Sequence, residues 1–196
     1  MNLTRREFGA IATGELVGAA GLAGFVLTGC PQAASVWNDI KTWLPKGITS
    51  FEAIVTLVDP ALAAVVAPIA TLVNAGFAQL SADVDQYIAA PAADKATWLA
   101  KVQLAFGIVT QNLQAFLTAI GQSTNPLVIL AVQLANILLS TIMGFIGKIG
   151  PTPAAIRLTA GSQTIAVVPV VRNKAQFMAA FNAACVAGGH PELSIR

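Results

Sequence analysis

Apolar residues recur along most of this chain at intervals of three and four positions, which is the spacing of one face of an α-helix. Two aspartate- or asparagine-proline pairs, Asp59-Pro60 and Asn125-Pro126, each offer a helix N-cap followed by proline at the first helical position. The pattern therefore predicts a mainly α protein, a bundle of about five to six helices. The predicted helices span residues 34–44, 49–58, 60–90, 94–120, 126–146 and about 174–187.

Prolines set several of these boundaries. Pro45 is predicted to end the first helix, because proline lacks a backbone donor and its ring clashes with the preceding turn. Thr49 and Glu52 then form a capping-box pattern that opens the second helix. Pro68 is expected to kink or interrupt the third helix, and Pro91 to close it.

The pattern changes near residue 155. Ile156 and Leu158, and then Ile165 and Val167, alternate with more polar residues on either side of a short turn at 160–163. Alternation with a period of two is typical of a strand, so the sequence predicts a small C-terminal β-hairpin at about 155–171. An isolated hairpin is marginal in water, and we expect this one to pack on the helices.

The final helix is predicted at about 174–187, with Asn173 and Gln176 as its capping pair. Its apolar face carries Phe177, Phe181 and Cys185. A cysteine in this position is expected to behave as a small buried hydrophobic residue with a free thiol.

No charged residue occurs between Lys101 and Lys148. Residues 127–147 could cross roughly 30 Å of hydrocarbon at about 1.5 Å per residue, so a membrane-inserting helical hairpin at 104–147 is one interpretation. The other is a helix at the centre of a water-soluble bundle, which the polar face of the preceding helix favours. A narrow seam of polar and small residues on 127–147 suits close helix packing in either setting. The seam consists of Gln133, Asn136, Ser140, Gly144 and Gly147.

Composition narrows the class of protein. Hydrophobic residues make up 56% of the 196 positions and charged residues 10%, with a formal net charge of +2. A chain this apolar is not intrinsically disordered, and it lacks the dense basic face of a nucleic-acid-binding protein. Its two cysteines cannot form a disulfide-rich scaffold.

The first thirty residues have the plan of an export signal, in which a basic start precedes an apolar run and a boundary of small residues. The five residues Thr4-Arg5-Arg6-Glu7-Phe8 resemble the twin-arginine signal, with Thr4, Arg5, Arg6 and Phe8 as its recognised positions. The leucine and lysine that usually follow are replaced by glycine and alanine. The resemblance implies export of a folded protein from the cytoplasm.

The segment Leu27-Thr28-Gly29-Cys30 resembles a bacterial lipobox. That resemblance implies a signal peptide at 1–29, cleavage before Cys30, and a diacylglycerol thioether on the Cys30 sulfur. The mature chain, 30–196, would then be a single lipid-anchored helical domain on the non-cytoplasmic side of a bacterial membrane. Acyl chains bind a membrane stably because each buried methylene contributes about 0.8 kcal/mol.

Few residues are suited to catalysis. His190, the only histidine, lies in a Gly/Pro-rich tail, where an exposed loop position is the usual outcome. Asp83 and Asp85 lie on different faces of a helix, so a cation site with Asp94 across the Pro91 turn has little support. No phosphate loop, zinc spacing or nucleophile elbow is present. We expect a non-enzyme without cofactor or metal.

The leading hypothesis is therefore a lipid-anchored cell-envelope protein that acts as a scaffold or assembly subunit, with a protein partner or a second copy of itself. One alternative is a carrier that encloses an apolar ligand in its bundle. The other is the membrane-inserting hairpin at 104–147. The aromatic and methionine residues that could line the carrier's cavity are Trp98, Phe106, Phe116 and Met143.

Overall fold

The structure is a computed structural model that describes residues 30–58, 60–121 and 127–195. The predicted signal residues and the lipobox positions before Cys30 lie outside this part of the chain, as do Asp59 and Asn125-Pro126. The described elements confirm a mainly α bundle with a C-terminal β-hairpin. They are α1 (Cys30–Val58), α2 (Pro60–Ala89), α3 (Lys95–Ile120), α4 (Leu127–Ile149), β1 (Ile156–Ala160), β2 (Gln163–Val167) and α5 (Lys174–Ala187).

The two helices predicted before residue 59 are one helix, so the predicted break at Pro45 is wrong. Pro45 is exposed, while Trp43 and Ile48 on either side of it are buried in the core. Burial of one continuous apolar face therefore outweighs the loss of one backbone hydrogen bond. Thr49 is not an N-cap, because its Oγ1 donates to the Pro45 carbonyl within the same helix, at 3.1 Å.

Helix α2 also runs through its internal proline, so the predicted interruption at Pro68 does not occur. The apolar face of α2 differs in part from the predicted one, because Leu72 is 55% exposed while its neighbour Val73 is buried. Leu80 and Val84 are buried as predicted. The turn containing Pro91 and a short 3₁₀ segment follows α2, in agreement with the sequence.

Helix α4 lies at the centre of the fold. Trp37 of α1 stacks on Phe145 with ring centroids 4.9 Å apart, and Gly144 packs against the backbone of Val170. Of the described helices, α4 alone is long and apolar enough to cross a membrane, yet 83% of its most apolar window is buried inside the protein. The fold thus uses this segment as a core helix.

The hairpin pairs its strands in an antiparallel register that joins Ile156 to Val167 and Leu158 to Ile165. Its turn contains Gly161 with a φ of +57°, a left-handed conformation that glycine adopts without strain. The Gln114 side chain of α3 bonds to Thr159 as a neighbouring strand would, donating to its carbonyl at 2.8 Å and accepting from its N–H at 2.9 Å. These bonds attach the hairpin to the bundle.

Helix α5 begins with the capping box predicted from Asn173 and Gln176. Phe177 then stacks on Trp43, with ring centroids 3.9 Å apart. The C-terminal tail returns to α1, where the Ser50 hydroxyl donates to the Leu193 carbonyl at 2.9 Å. The N- and C-terminal parts of the described chain thus share one core.

Candidate functional site

A groove of about 390 Å³ runs between α1 and α2. Its apolar side chains come from both helices, and polar side chains border them. A concave surface of this size, apolar with a few polar groups, is typical of small-molecule sites. Its lining residues are Trp37, Lys41, Pro45, Ile48, Thr49, Asn74, Phe77, Ala78 and Ser81.

An ion pair between Lys41 and Asp85 lies at one end of this groove. Lys41 Nζ donates to both carboxylate oxygens of Asp85, at 2.8 and 3.0 Å, and Trp37 Nε1 donates to one of them at 3.1 Å. Both charged side chains remain partly exposed, so the pair itself contributes little to stability. Because Asp85 neutralises Lys41, the groove offers an apolar surface with a polar end rather than a site for a free anion.

The three aspartates considered for a cation site do not form one. Asp85 binds Lys41, Asp83 accepts from Gln79 Nε2 at 3.0 Å, and Asp94 is exposed at the turn before α3. Among the described residues, no group of three histidine, cysteine, aspartate or glutamate side chains could hold a metal ion.

Cys185 is a buried free cysteine, as predicted. Burial, with a smaller contribution from the Glu192 carboxylate, raises the pKa of the thiol to about 11. His190 Nδ1 lies 2.8 Å from Glu192 Oε1, and this hydrogen bond lowers the pKa of Glu192. The thiol stays protonated at neutral pH and therefore lacks the thiolate that nucleophilic chemistry requires.

One polar contact in the core was not predicted. Arg172 Nη1 donates to Ser140 Oγ at 2.6 Å and to Thr141 Oγ1 at 3.1 Å, in the middle of α4. Burial lowers the pKa of this guanidinium. Ser140 Oγ also donates to the Ile137 carbonyl of its own helix at 3.1 Å, so the polar seam on α4 gave no sign that a charged partner was required. Its partner is 32 residues away in the chain, so the spacing of the seam could not identify it.

The outer face of the α2–α3 pair is apolar and exposed. Leu104 and Ile108 lie one turn apart on α3, and Leu104 is 69% exposed. On α2, the exposed Leu72 is close by, since its carbonyl accepts from Asn112 Nδ2 at 3.0 Å. Neighbouring exposed apolar side chains on one face are typical of a binding surface.

The residues suggested for an internal ligand cavity lie elsewhere in the fold. Phe106, Phe116 and Met143 are buried in the core, and Trp98 is half-buried beside Lys101. None of these four residues lines the groove between α1 and α2.

No protein family model, curated protein or solved structure matches this chain. The described side chains and the sequence patterns are therefore the basis on which its function is inferred. Of the predicted site residues, Cys30 is the one whose backbone the structure describes, as the first residue of α1.

Proposed function

We propose that this chain is a lipid-anchored protein of the bacterial cell envelope that acts by binding another protein, as a scaffold or as a subunit of an assembly. In this proposal the twin-arginine signal directs export of the folded chain. Cys30 then becomes the first residue of the mature protein and carries the lipid. Membrane attachment and protein binding, rather than a reaction, are its functions.

The observation that carries the proposal is the place of Cys30 in the fold. It lies on α1, and that helix is bound into the core by the buried side chains of Trp37, Ile40 and Trp43. An acyl chain on Cys30 would therefore attach the whole bundle to a membrane surface. The buried position of α4 supports surface attachment over insertion, because insertion would remove this helix from the packed core.

The chemistry of the described titratable residues supports a binding role. The Cys185 thiol is held protonated by its raised pKa, and Lys41 is paired with Asp85. The exposed apolar side chains of Leu72, Leu104 and Ile108 offer a surface for a protein partner.

The anchor is tested by replacing each cysteine in turn. Cys30→Ser should prevent lipid attachment, so that the uncleaved or soluble chain no longer fractionates as a processed lipoprotein. Cys185→Ser is the matched control, because it also removes a thiol but should leave processing unchanged. Mass spectrometry of the N-terminal peptide identifies the lipid directly. Normal processing of the Cys30→Ser variant would contradict the proposal.

The export route has a separate test. Replacing Arg5 and Arg6 together with lysine keeps both positive charges but removes the guanidinium groups that the twin-arginine receptor reads. We expect the variant to accumulate in the cytoplasm, measured by cell fractionation. Export in full amount would indicate the general secretory route instead.

The groove between α1 and α2 supports a second candidate function, the binding of a small amphiphile. 1-Decanol, whose headgroup is uncharged, is a suitable probe, and saturable binding should change the fluorescence of Trp37 in the groove wall. Ala78→Phe should block binding by filling the groove, whereas Ala100→Phe on the exposed face of α3 should not. Equal binding by both variants would exclude the groove as the site.

A further inference from the structure

The contacts of α1 show which parts of the bundle lie near Cys30. Trp37 meets Asp85 of α2 and Phe145 of α4, while Gly47, further along α1, lies against Leu138 of α4. Helix α1 therefore runs antiparallel to α4. Helix α1 is also antiparallel to α2, because residues 45–49 of α1 and 74–78 of α2 line the same part of the groove.

It follows that Cys30 projects from the end of the bundle where α2 and α4 finish. Cys30 precedes Trp37 by seven residues, about 10 Å along the helix axis. At this same end the Tyr87 hydroxyl donates to the Ile149 carbonyl at 2.8 Å, and Lys95 Nζ donates to the carbonyls of Tyr87 and Ile88. We call this surface the Cys30 end, formed by 90–94, Trp98, Lys101 and Lys148.

The Cys30 end holds an aromatic and a basic side chain in contact. Lys101 Nζ lies 3.8 Å from the ring centroid of Trp98. Helical side chains lean toward the N-terminus of their helix, and α3 begins at this end, so both side chains lean toward it. Trp98 is half-buried, whereas Trp37 and Trp43 are 1% and 2% exposed. Trp98 is thus the most exposed of the described tryptophans.

The charges at this end favour an anionic surface. Among the described residues of this end, the exposed Lys101 and Lys148 stand against one carboxylate, Asp94, while Lys95 is buried against the carbonyls of Tyr87 and Ile88. The next carboxylates along the helices are Asp39, exposed about three turns into α1, and Asp85, which is paired with Lys41. Tryptophan and lysine are the residues enriched where proteins meet lipid headgroups, and anionic phosphates attract lysine.

We propose that the Cys30 end lies on the headgroup layer of the membrane, with Trp98 at the interface and Lys101 and Lys148 against lipid phosphates. This inference rests on the proposed lipid anchor. Cys30 belongs to α1, so the anchored residue is part of a helix that is packed into the core. The attachment point then fixes which end of the bundle faces the bilayer, and the outer face of α2 and α3 remains available to a partner.

Tryptophan quenching tests this orientation. The acylated mature protein, 30–196, is reconstituted into vesicles of phosphatidylglycerol and phosphatidylcholine in equal parts, with bromine on the acyl chains near the headgroups. The wild-type protein should lose the part of its fluorescence that comes from Trp98. The Trp98→Phe variant should lose none on bromination, because its remaining tryptophans are buried in the core.

The lysines are tested in the same vesicles. Lys101→Glu with Lys148→Glu should reduce the quenching of Trp98, whereas Lys174→Glu, an exposed control near the middle of the bundle, should not. Equal quenching of wild-type protein and the Trp98→Phe variant would overturn the proposed orientation. If mass spectrometry finds no lipid on Cys30, the anchor itself is refuted and the orientation falls with it. An acylated protein without Trp98 quenching refutes the orientation alone.

Discussion

Most of α3 and most of α4 belong to the uncharged stretch between Lys101 and Lys148, but the fold uses the two helices differently. Helix α4 is covered by α1 on one side, where Phe145 meets Trp37, and by the segment after β2 on another, where Gly144 meets Val170. Helix α3 buries one face, including Val109 and Phe116, and leaves Leu104 largely exposed. A lack of charge therefore accompanies both a deeply buried helix, α4, and an exposed apolar face on α3.

The two helices differ in the polar residues that lie among their apolar residues. On α4 the seam residues Ser140 and Gly144 are buried because another segment covers them. On α3 the outer face alternates Leu104 and Ile108 with glutamine residues, which water can solvate. Polar residues that are small permit close packing, whereas long amides favour exposure.

The largest change in stability should come from removing a buried leucine side chain on α4, compared with an exposed one on α3. Leu138 of α4 is fully buried, so Leu138→Ala should lower the free energy of unfolding by about 2–5 kcal/mol through lost burial and a cavity. Leu104→Ala on α3 is the matched control and should change it by less than about 0.5 kcal/mol. Urea unfolding of both variants measures the difference. Similar losses would mean that Leu104 is also packed in the folded protein.

Adding a methyl group at a glycine of each helix tests the same difference in packing. A Cβ at Gly144 of α4 would lie 2.3 Å from the Val170 carbonyl oxygen, so Gly144→Ala should destabilise the fold by about 1–3 kcal/mol. Nothing lies within 4 Å of a Cβ at Gly107 of α3, and Gly107→Ala should stabilise it by about 0.5–1 kcal/mol. Melting temperatures should shift in opposite directions. A shift of the same sign in both would contradict the packing difference.

A substitution at Ser140 tests the contact between the polar seam of α4 and Arg172. The sequence alone predicts that Ser140→Asp buries an unpaired charge and costs several kcal/mol, but the structure places the Arg172 guanidinium 2.6 Å from the hydroxyl. We therefore expect Ser140→Asp to be tolerated better beside Arg172 than in an Arg172→Gln background. The coupling energy from the double-mutant cycle should lie at about 0.5–3 kcal/mol. Additive losses would show that Arg172 does not pair with the new carboxylate.

The sequence predicted the features that depend on neighbouring residues. The bounds of α3 and α5 follow from capping residues and local periodicity and agree with the structure to within one residue. The β-hairpin is present where alternation and turn residues predicted it, but its second strand ends at Val167 rather than near residue 171. The burial of Cys185 followed from its place on the face of Phe177 and Phe181.

What could not be predicted depends on contacts between distant segments. Pro45 and Pro68 do not end their helices. At Pro45 the cause is the core, because Trp43 and Ile48 on either side of it are both buried. The bond between Arg172 and Ser140 and the groove between α1 and α2 arise only when separate helices come together. Rules based on residues that are close in the sequence cannot predict such contacts.

Substitutions on the exposed face of α3 should have the smallest effect on stability and the largest effect on self-association of the chain. We expect the outer face of α2 and α3 to hold a second copy of the chain, because Leu104 and Ile108 are exposed together on one face. Leu104→Gln with Ile108→Gln should keep the free energy of unfolding within about 0.5 kcal/mol per substitution while lowering the mass measured by sedimentation equilibrium in detergent. Val186→Gln, at an exposed valine on α5, is the control and should leave the mass unchanged. If the double variant kept the wild-type mass, this face would not be the contact between copies, and its lack of charge would have to serve a different partner.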